Sequence, residues 1–337
     1  MTSWVAIVPF VAALLLGCAT GVGETGGEET AAADTGTGVA SCEDNAWIDF
    51  SLGIFRACGV HEDGCIECWG DVKADAVNDT GWTNYGLLQP PAVAARSVSV
   101  EANTIDDGEP SVCVVTSDDE LACWGRPLFP ELPARADVAR VQLRDDRDVA
   151  IQSVDGAVGR FEYDWESDGT LVTDLGLADA GKLWAGVSGY CLVDDHELRC
   201  TSDQPEDSFS RDNVVAAGVG VQSACWTDGD GKLDCRELSG PYGEEVLAPP
   251  SGSFHSPCES IMACAINTDD RAECWHTAET PVPFRGHSSA ADVPLTQLRC
   301  DFWGACGITP DGQLHCWGND TSMHHPPGSF VIPYGTP

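Results

Sequence analysis

Twelve of the seventeen cysteines fall into six pairs at almost one spacing: Cys58 with Cys68, Cys113 with Cys123, Cys191 with Cys200, Cys225 with Cys235, Cys264 with Cys274, and Cys306 with Cys316. Five pairs read C-x9-C and one, Cys191 with Cys200, reads C-x8-C. The residues between them share one plan. Mostly apolar residues follow the first cysteine, as in Cys113-Val114-Val115, and a turn of Asp, Gly or Asn comes next, as in Asp63-Gly64, Asp118-Asp119, Asp269-Asp270 and Asp311-Gly312. An apolar residue then stands two before the second cysteine at Ile66, Leu121, Leu198, Leu233 and Leu314. Strand, tight turn, strand is a β-hairpin. Cysteines flanking such a turn symmetrically face each other across the ladder. Non-hydrogen-bonded partners lie about 4.5 Å apart at Cα, near the short end of disulfide geometry. Each pair is therefore expected to bridge its own hairpin.

A seventh segment, Val149–Gly159, has the turn at Asp155-Gly156 and the alternation but no cysteine at either end. Joint absence is what a bonded pair predicts. The first positions of the seven copies (58, 113, 149, 191, 225, 264 and 306) are spaced by about 41 residues on average. Such a period, with several short strands per unit, belongs to β-propeller blades, and seven lies within their usual range. An open string of hairpins would leave apolar faces and unpaired edges uncovered. The expected fold is all-β, a seven-bladed β-propeller over residues 42–337, closed by joining Trp47–Phe50 to Phe330-Val331-Ile332. Cys258 and Cys300 each lie six residues before the next hairpin's first cysteine, so a bridge between neighbouring blades is expected for them. By elimination Cys42 pairs with Cys65.

The N-terminus reads as an address. Val5–Leu16 is an apolar run too short to span a bilayer, and it ends in Leu15-Leu16-Gly17-Cys18. A small residue before a cysteine at that place resembles the lipobox of bacterial lipoproteins. The resemblance implies cleavage before Cys18, diacylation of its sulfur and usually acylation of the new N-terminus, palmitate being one such chain; several chains serve because a single one binds a membrane only marginally. The n-region lacks Lys and Arg, and Leu16 is larger than the residue usual there. Thr20–Val39 is almost wholly Gly, Ala, Thr, Glu and Asp and reads as a flexible tether. The expected order is signal peptide 1–17, lipidated tether 18–41, and propeller 42–337.

With 17 basic and 54 acidic residues the chain carries −37, which argues against nucleic acid as a partner. The charge is otherwise read as a solvated surface. So many cysteines suit an exported protein rather than a reducing cytosol.

Tryptophan follows the second cysteine in four copies, and Trp-Gly in three: Cys68-Trp69-Gly70, Cys123-Trp124-Gly125 and Cys316-Trp317-Gly318. The last copy, Cys306-Gly307-Ile308 through Asp311-Gly312 to Trp317-Gly318-Asn319, resembles a repeat of the regulator of chromosome condensation family. The likeness is clear in copies one, two, six and seven and weak in three to five. The Gly-Gln-Leu-Gly that often follows in that family is missing. The resemblance implies a seven-bladed propeller. It does not imply nucleotide exchange on a small GTPase, for which no loop has a counterpart. Bacterial relatives of that kind include secreted proteins that bind other proteins, among them an inhibitor of β-lactamase.

No catalytic constellation emerges: there is no Gly-x-Ser-x-Gly and no phosphate loop. His324-His325, adjacent in a polar tail, would point to opposite faces of a strand, and neither a metal nor a cofactor is expected there. Asp228-Gly229-Asp230-Gly231-Lys232-Leu233-Asp234 alternates acid and glycine as calcium loops do, but lacks the third early acid and the distal glutamate, and coincides with a hairpin turn. Aromatics in the variable inter-blade segments (Trp82, Tyr85, Phe129, Tyr163, Trp165 and Tyr242) are candidate anchors of a binding surface. The function expected is non-catalytic binding or scaffolding by a monomeric, lipid-anchored lipoprotein of a bacterial cell envelope. Its partner would be a protein or polysaccharide. A propeller hydrolase or lyase with a central-channel site, and a purely structural envelope protein, are the alternatives.

Overall fold

The structure is a computed structural model describing residues 42, 45–53, 56–70, 90–101, 111–125, 136–145, 148–164, 169–174, 181–186, 189–202, 208–220, 223–238, 249–258, 262–276, 293–300, 304–318 and 330–331. These residues form seven small sheets, each built in chain order. The first holds β1 (Trp47–Leu52), β2 (Arg56–His61) and β3 (Ile66–Gly70); the second β4 (Ala95–Val100), β5 (Ser111–Thr116) and β6 (Leu121–Gly125). The third holds β7 (Val138–Asp145), β8 (Asp148–Ser153), β9 (Val158–Asp164) and β10 (Gly169–Asp174). The fourth holds β11 (Lys182–Gly186), β12 (Gly189–Asp194), β13 (Glu197–Ser202) and β14 (Phe209–Arg211). The fifth is β15 (Val214–Val219), β16 (Ser223–Asp228) and β17 (Leu233–Glu237), and the sixth β18 (Phe254–Cys258), β19 (Met262–Asn267) and β20 (Ala272–His276). The seventh is β21 (Gln297–Cys300), β22 (Gly304–Ile308), β23 (Leu314–Gly318) and β24 (Phe330–Val331). Pairing is antiparallel throughout except that β24 runs parallel to β23.

Each repeated cysteine pair stands directly opposite across its hairpin and is disulfide-bonded. Cys58 is joined to Cys68, Cys113 to Cys123 and Cys191 to Cys200. Cys225 is joined to Cys235, Cys264 to Cys274 and Cys306 to Cys316. In all six the Cα atoms are 4.0–4.1 Å apart. Cys200 and Cys274 are buried, and Cys235 packs half-buried against the core formed by Leu233, Phe254 and Trp275. Cys42 is bonded to Cys65, and Cys258 to Cys300.

The C-x9-C hairpins share one turn. The amide of its fourth residue donates back to the carbonyl of the first, as Gly64 does to His61 (2.8 Å) and Gly312 to Thr309 (2.9 Å). That fourth residue has positive φ: Gly64 +84°, Asp119 +61°, Gly231 +77°, Asp270 +59°, Gly312 +79°. This is the three-residue hairpin loop, a type I turn followed by a left-handed bulge residue. In the C-x8-C copy Asp194 pairs with Glu197, and Asp195 and His196 are both left-handed (+40°, +66°). A two-residue type I′ loop needs φ > 0 at both positions, so the spacing one residue shorter between Cys191 and Cys200 is a change of turn type.

The third sheet corrects the alignment expected for the cysteine-free copy. Its left-handed turn residue is Gly156 (φ +92°), and the pair equivalent to the cysteines is Ala150↔Arg160, not Val149 and Gly159. In every C-x9-C copy the left-handed residue stands six places after the first cysteine, and alternation alone leaves that register open by one. Where other sheets carry a disulfide, this one carries a buried ion network. Arg160 Nη2 lies 2.7 Å and Arg144 Nη1 3.2 Å from Asp148 Oδ2, and the Tyr190 hydroxyl of β12 donates to Asp148 Oδ1. Burial and the Asp148 carboxylate push the Tyr190 phenol far up, so it stays a donor.

The apolar residues collect between sheets. Val60 and Ile66 pack with Val98, Val100, Val112 and Val114 of the next sheet, and Phe50, Leu52 and Trp69 of the first pack with Ile308 and Leu314 of the seventh. Trp69, Trp275 and Trp317, each following a second cysteine, are 4–6% exposed and belong to these cores. One backbone bond recurs at the junctions. The carbonyl of the left-handed turn residue accepts the amide at the start of a neighbouring sheet's first strand: Ala95 to Gly64 (2.9 Å), Val138 to Asp119 (2.8 Å), Val214 to His196 (2.8 Å), Phe254 to Gly231 (2.7 Å), and Trp47 to Gly312 (2.9 Å).

That last bond corrects the expected role of the chain's ends. Trp47–Phe50 does not pair with the C-terminal strand; β1 pairs with β2, and Phe330-Val331 pairs with His315 and Cys316 of β23. Ile332 lies outside the described residues. First and seventh sheets meet instead through the turn-to-strand bond used elsewhere and through Gln297 Nε2 donating to the Ile48 carbonyl at 2.9 Å.

Candidate ligand-binding channel

The first strand of every sheet (β1, β4, β7, β11, β15, β18, β21) lines a common cavity of about 500 Å³. Alternation on these strands divides the side chains. Phe50, Val98, Val141, Leu183, Ala217 and Leu298 are at most 4% exposed and fill the space between sheets. The alternate positions lie along the cavity: Asp49 and Ser51, Ser97 and Ser99, Arg140 and Gln142, Lys182 and Trp184, Ala216 and Gly218, Gln297 and Arg299.

An innermost strand is also a sheet edge with amides to satisfy. Val98 N–H donates to Asp49 Oδ2 (3.1 Å), Val100 N–H to Ser51 Oγ (3.0 Å) and Leu143 N–H to Ser99 Oγ (2.8 Å). The first two bonds join residues 49 apart in both cases, so β1 and β4 lie side by side running the same way. Small polar side chains at these positions stitch one edge to the next. Glycine serves at β15, where a Cβ on Gly218 would lie 2.5 Å from the Pro257 carbonyl oxygen.

The charge on this lining is opposite in sign to the chain's. Of the five charged residues lining the cavity, Arg96, Arg140, Lys182 and Arg299 are cations and Asp49 is the one carboxylate. Arg96 is committed: its Nη2 lies 2.7 Å from Asp119 Oδ1 and donates to the Val138 carbonyl at 2.8 Å. Arg299 Nη2 stands 3.8 Å from Asp49 Oδ1, while its Nη1 donates to the Leu298 carbonyl. Burial raises the Asp49 carboxyl above its ordinary range, against the pull of Arg299 and the Val98 amide. Arg140 is lowered, first by burial and then, against the pull of Asp49, by the like charges of Arg299 and Arg96. Among the described residues neither Arg140 nor Lys182 has an ion-pair partner within 4 Å.

Of the residues singled out by sequence, Cys18, Trp82, Tyr85, Phe129, Trp165, Tyr242 and His324-His325 lie outside the described residues. Tyr163 is in β9, opposite Thr170 of β10. Asp228 Oδ1 accepts the amides of Asp230 (2.9 Å) and Lys232 (2.8 Å), the work of a hairpin turn. Among the described residues two groups have potential metal ligands close together, one of Cys258, Cys264 and Cys300 and one of Cys42, His61 and Glu67. Every cysteine in them is disulfide-bonded and offers no thiolate. The cavity cations were not among the sequence candidates, although a signal was present. In five sheets the residue seven before the first cysteine is a lining residue: Ser51, Trp184, Gly218, Pro257 and Arg299.

No protein-family model matches the chain, and no curated protein matches it by sequence. Solved structures do share its fold. The CRINKLY WD40 ectodomain of the Arabidopsis thaliana receptor kinase ACR4 superposes with a TM-score of 0.54 at 15% identity, over 81% of this chain and 95% of that one. The ectodomain of the Physcomitrella patens receptor kinase CR4 gives 0.56 at 15% identity, over 81% and 73%. Yeast RCC1 (Prp20), solved bound to Kap60, gives 0.52 at 14% identity, over 75% and 77%. The chain thus has an all-β fold of small, mainly antiparallel sheets similar to propeller-type proteins.

Proposed function

We propose that the chain is an exported, lipid-anchored, non-catalytic binding protein of a bacterial cell envelope. In this reading the seven sheets are the blades of a closed propeller of regulator-of-chromosome-condensation-like repeats. One face recognises a protein or an exposed polysaccharide. The observation that carries the reading is the disulfide-stapled hairpin, present in six of the seven sheets and joined to neighbouring sheets through one backbone bond. Such a frame fixes the roots of the variable inter-sheet segments, and recognition collects on loops held by a rigid scaffold. Bridges at this density suit an oxidising compartment. Residues 1–17 serve as the signal, Cys18 takes the lipid, and the segment to residue 41 holds the domain off the membrane. That one similar fold, yeast RCC1, was solved bound to Kap60 supports a protein partner.

The test is retention of an envelope component by the oxidised chain, with the reduced and alkylated chain as control. A partner held at about 0.5 M salt by the oxidised form alone supports shape-specific binding, since exposed charge pairing is largely screened there. Release of everything at that salt rejects it. Cys18→Ser should move the protein from the membrane fraction to the soluble one; unchanged sedimentation would reject the anchor.

A further inference from the structure

We infer that the channel binds a small oxyanion carrying two or more negative charges, a polycarboxylate or a phosphate compound, held by Arg140, Lys182 and Arg299. The chain carries 17 basic residues against 54 acidic ones, yet four of the five charged residues lining the common cavity are cations. A cavity used only for packing or solvent has no reason to reverse the sign of the molecule. Concentrating like charges between low-dielectric walls costs free energy that a bound counter-charge returns.

Among the described residues these cations are not all neutralised. Arg96 is neutralised by Asp119 at 2.7 Å, whereas Asp49 alone stands against Arg140, Lys182 and Arg299. Even the Asp49–Arg299 separation, 3.8 Å, is longer than a hydrogen-bonded contact, and Asp49 is already occupied by the Val98 amide at 3.1 Å. Two positive charges therefore remain, which sets the ligand's minimum charge. The repulsion of Arg140 by Arg299 and Arg96 places these guanidinium groups within reach of one another's fields.

Position and size fit the same ligand. Arg140 and Lys182 occupy the first half of β7 and β11, and Arg299 stands one alternate position further along, opposite Cys306 as Trp184 is opposite Cys191. At the other end the cavity lining finishes with Leu52, Val100, Leu143, Gly186 and Gly220, which carry no charge. About 500 Å³ admits a small molecule rather than a polymer segment. Planar guanidinium groups match carboxylate and phosphate oxygens through paired hydrogen bonds. This site requires no partner on the outer face, so its failure leaves the proposed function standing, and the reverse also holds.

The experiment is calorimetric titration of the full oxidised chain with citrate and, separately, with pyrophosphate, at constant ionic strength in sodium chloride. Saturable 1:1 binding of either probe is expected, and which one binds more tightly identifies the chemical source. Arg140→Gln and Arg299→Gln should each weaken it at least tenfold, while Lys232→Gln, in the exposed hairpin turn of the fifth sheet, should leave it unchanged. Asp49→Asn should tighten it, an outcome that misfolding cannot imitate. Absence of binding by both probes, equal loss on Lys232→Gln, or weaker binding by Asp49→Asn would each overturn the site.

Discussion

Gly312 shows how much one residue carries at the junction of the first and seventh sheets. It is left-handed, its carbonyl accepts the Trp47 N–H, and a Cβ there would sit 2.3 Å from that of Ala46. The neighbouring His61 reports on the same corner. Its ring lies 3.7 Å from that of Trp47, with Nδ1 2.9 Å from the Asn45 carbonyl and Nε2 3.4 Å from the Glu67 carboxylate. Burial lowers its pKa, but Glu67, the Asn45 carbonyl and Asp63 outweigh burial and leave it above the ordinary 6.5. A raised folded pKa contributes stability fully below the unfolded value and loses it as pH rises through the folded one. His315, lowered by burial, tilts the opposite way, so the comparison must be with a variant. The urea midpoint of wild type relative to His61→Gln is expected to fall as pH rises from the ordinary histidine value of 6.5. A constant difference would refute the assignment.

At the level of the element, a hairpin can be held by a covalent bridge or by ions. Six sheets use the bridge; the third uses Arg144, Asp148, Arg160 and Tyr190. With Asp148 side chain 2% exposed and Arg144 7%, Asp148→Asn removes the buried carboxylate that Arg144 and Arg160 share. We expect a loss of about 3–5 kcal/mol by chemical denaturation. Combining Arg144→Met, Asp148→Leu and Arg160→Met should recover much of it, because apolar replacement of a whole buried network is often neutral or stabilising. A loss below about 1 kcal/mol for Asp148→Asn alone would show the network to be solvated.

The hairpins were legible in the sequence because a disulfide and a tight turn are local and leave a fixed spacing. The register of the third copy was not, since Arg160 stands where the others have cysteine and nothing marks the place but Gly156. The cavity set was hidden for another reason. Ser51 and Arg299 stand seven residues before their cysteines, but Ser99 stands fourteen before Cys113, so unequal connections scatter positions that the fold aligns.

For the whole molecule, the bridges differ in what they constrain. A hairpin bridge such as that of Cys58 to Cys68 spans 10 residues, whereas that of Cys258 to Cys300 spans 42 and ties the sixth sheet to the seventh. In the chain-entropy model the first contributes about 2.7 kcal/mol and the second about 3.9 kcal/mol. Replacing both Cys258 and Cys300 by Ser should therefore lower stability more than replacing both Cys58 and Cys68 does, by roughly 1 kcal/mol. Equal losses would place the benefit in the hairpins alone. Thermal unfolding of the two variants side by side measures it.

Trp47 meets Gly312 through the same bond by which Ala95 meets Gly64, and no special clasp marks that junction among the described residues. A chain opened within 126–135 and rejoined by a linker from residue 331 to residue 42 is expected to form a circular permutant with the same sheet neighbours and the same bridges.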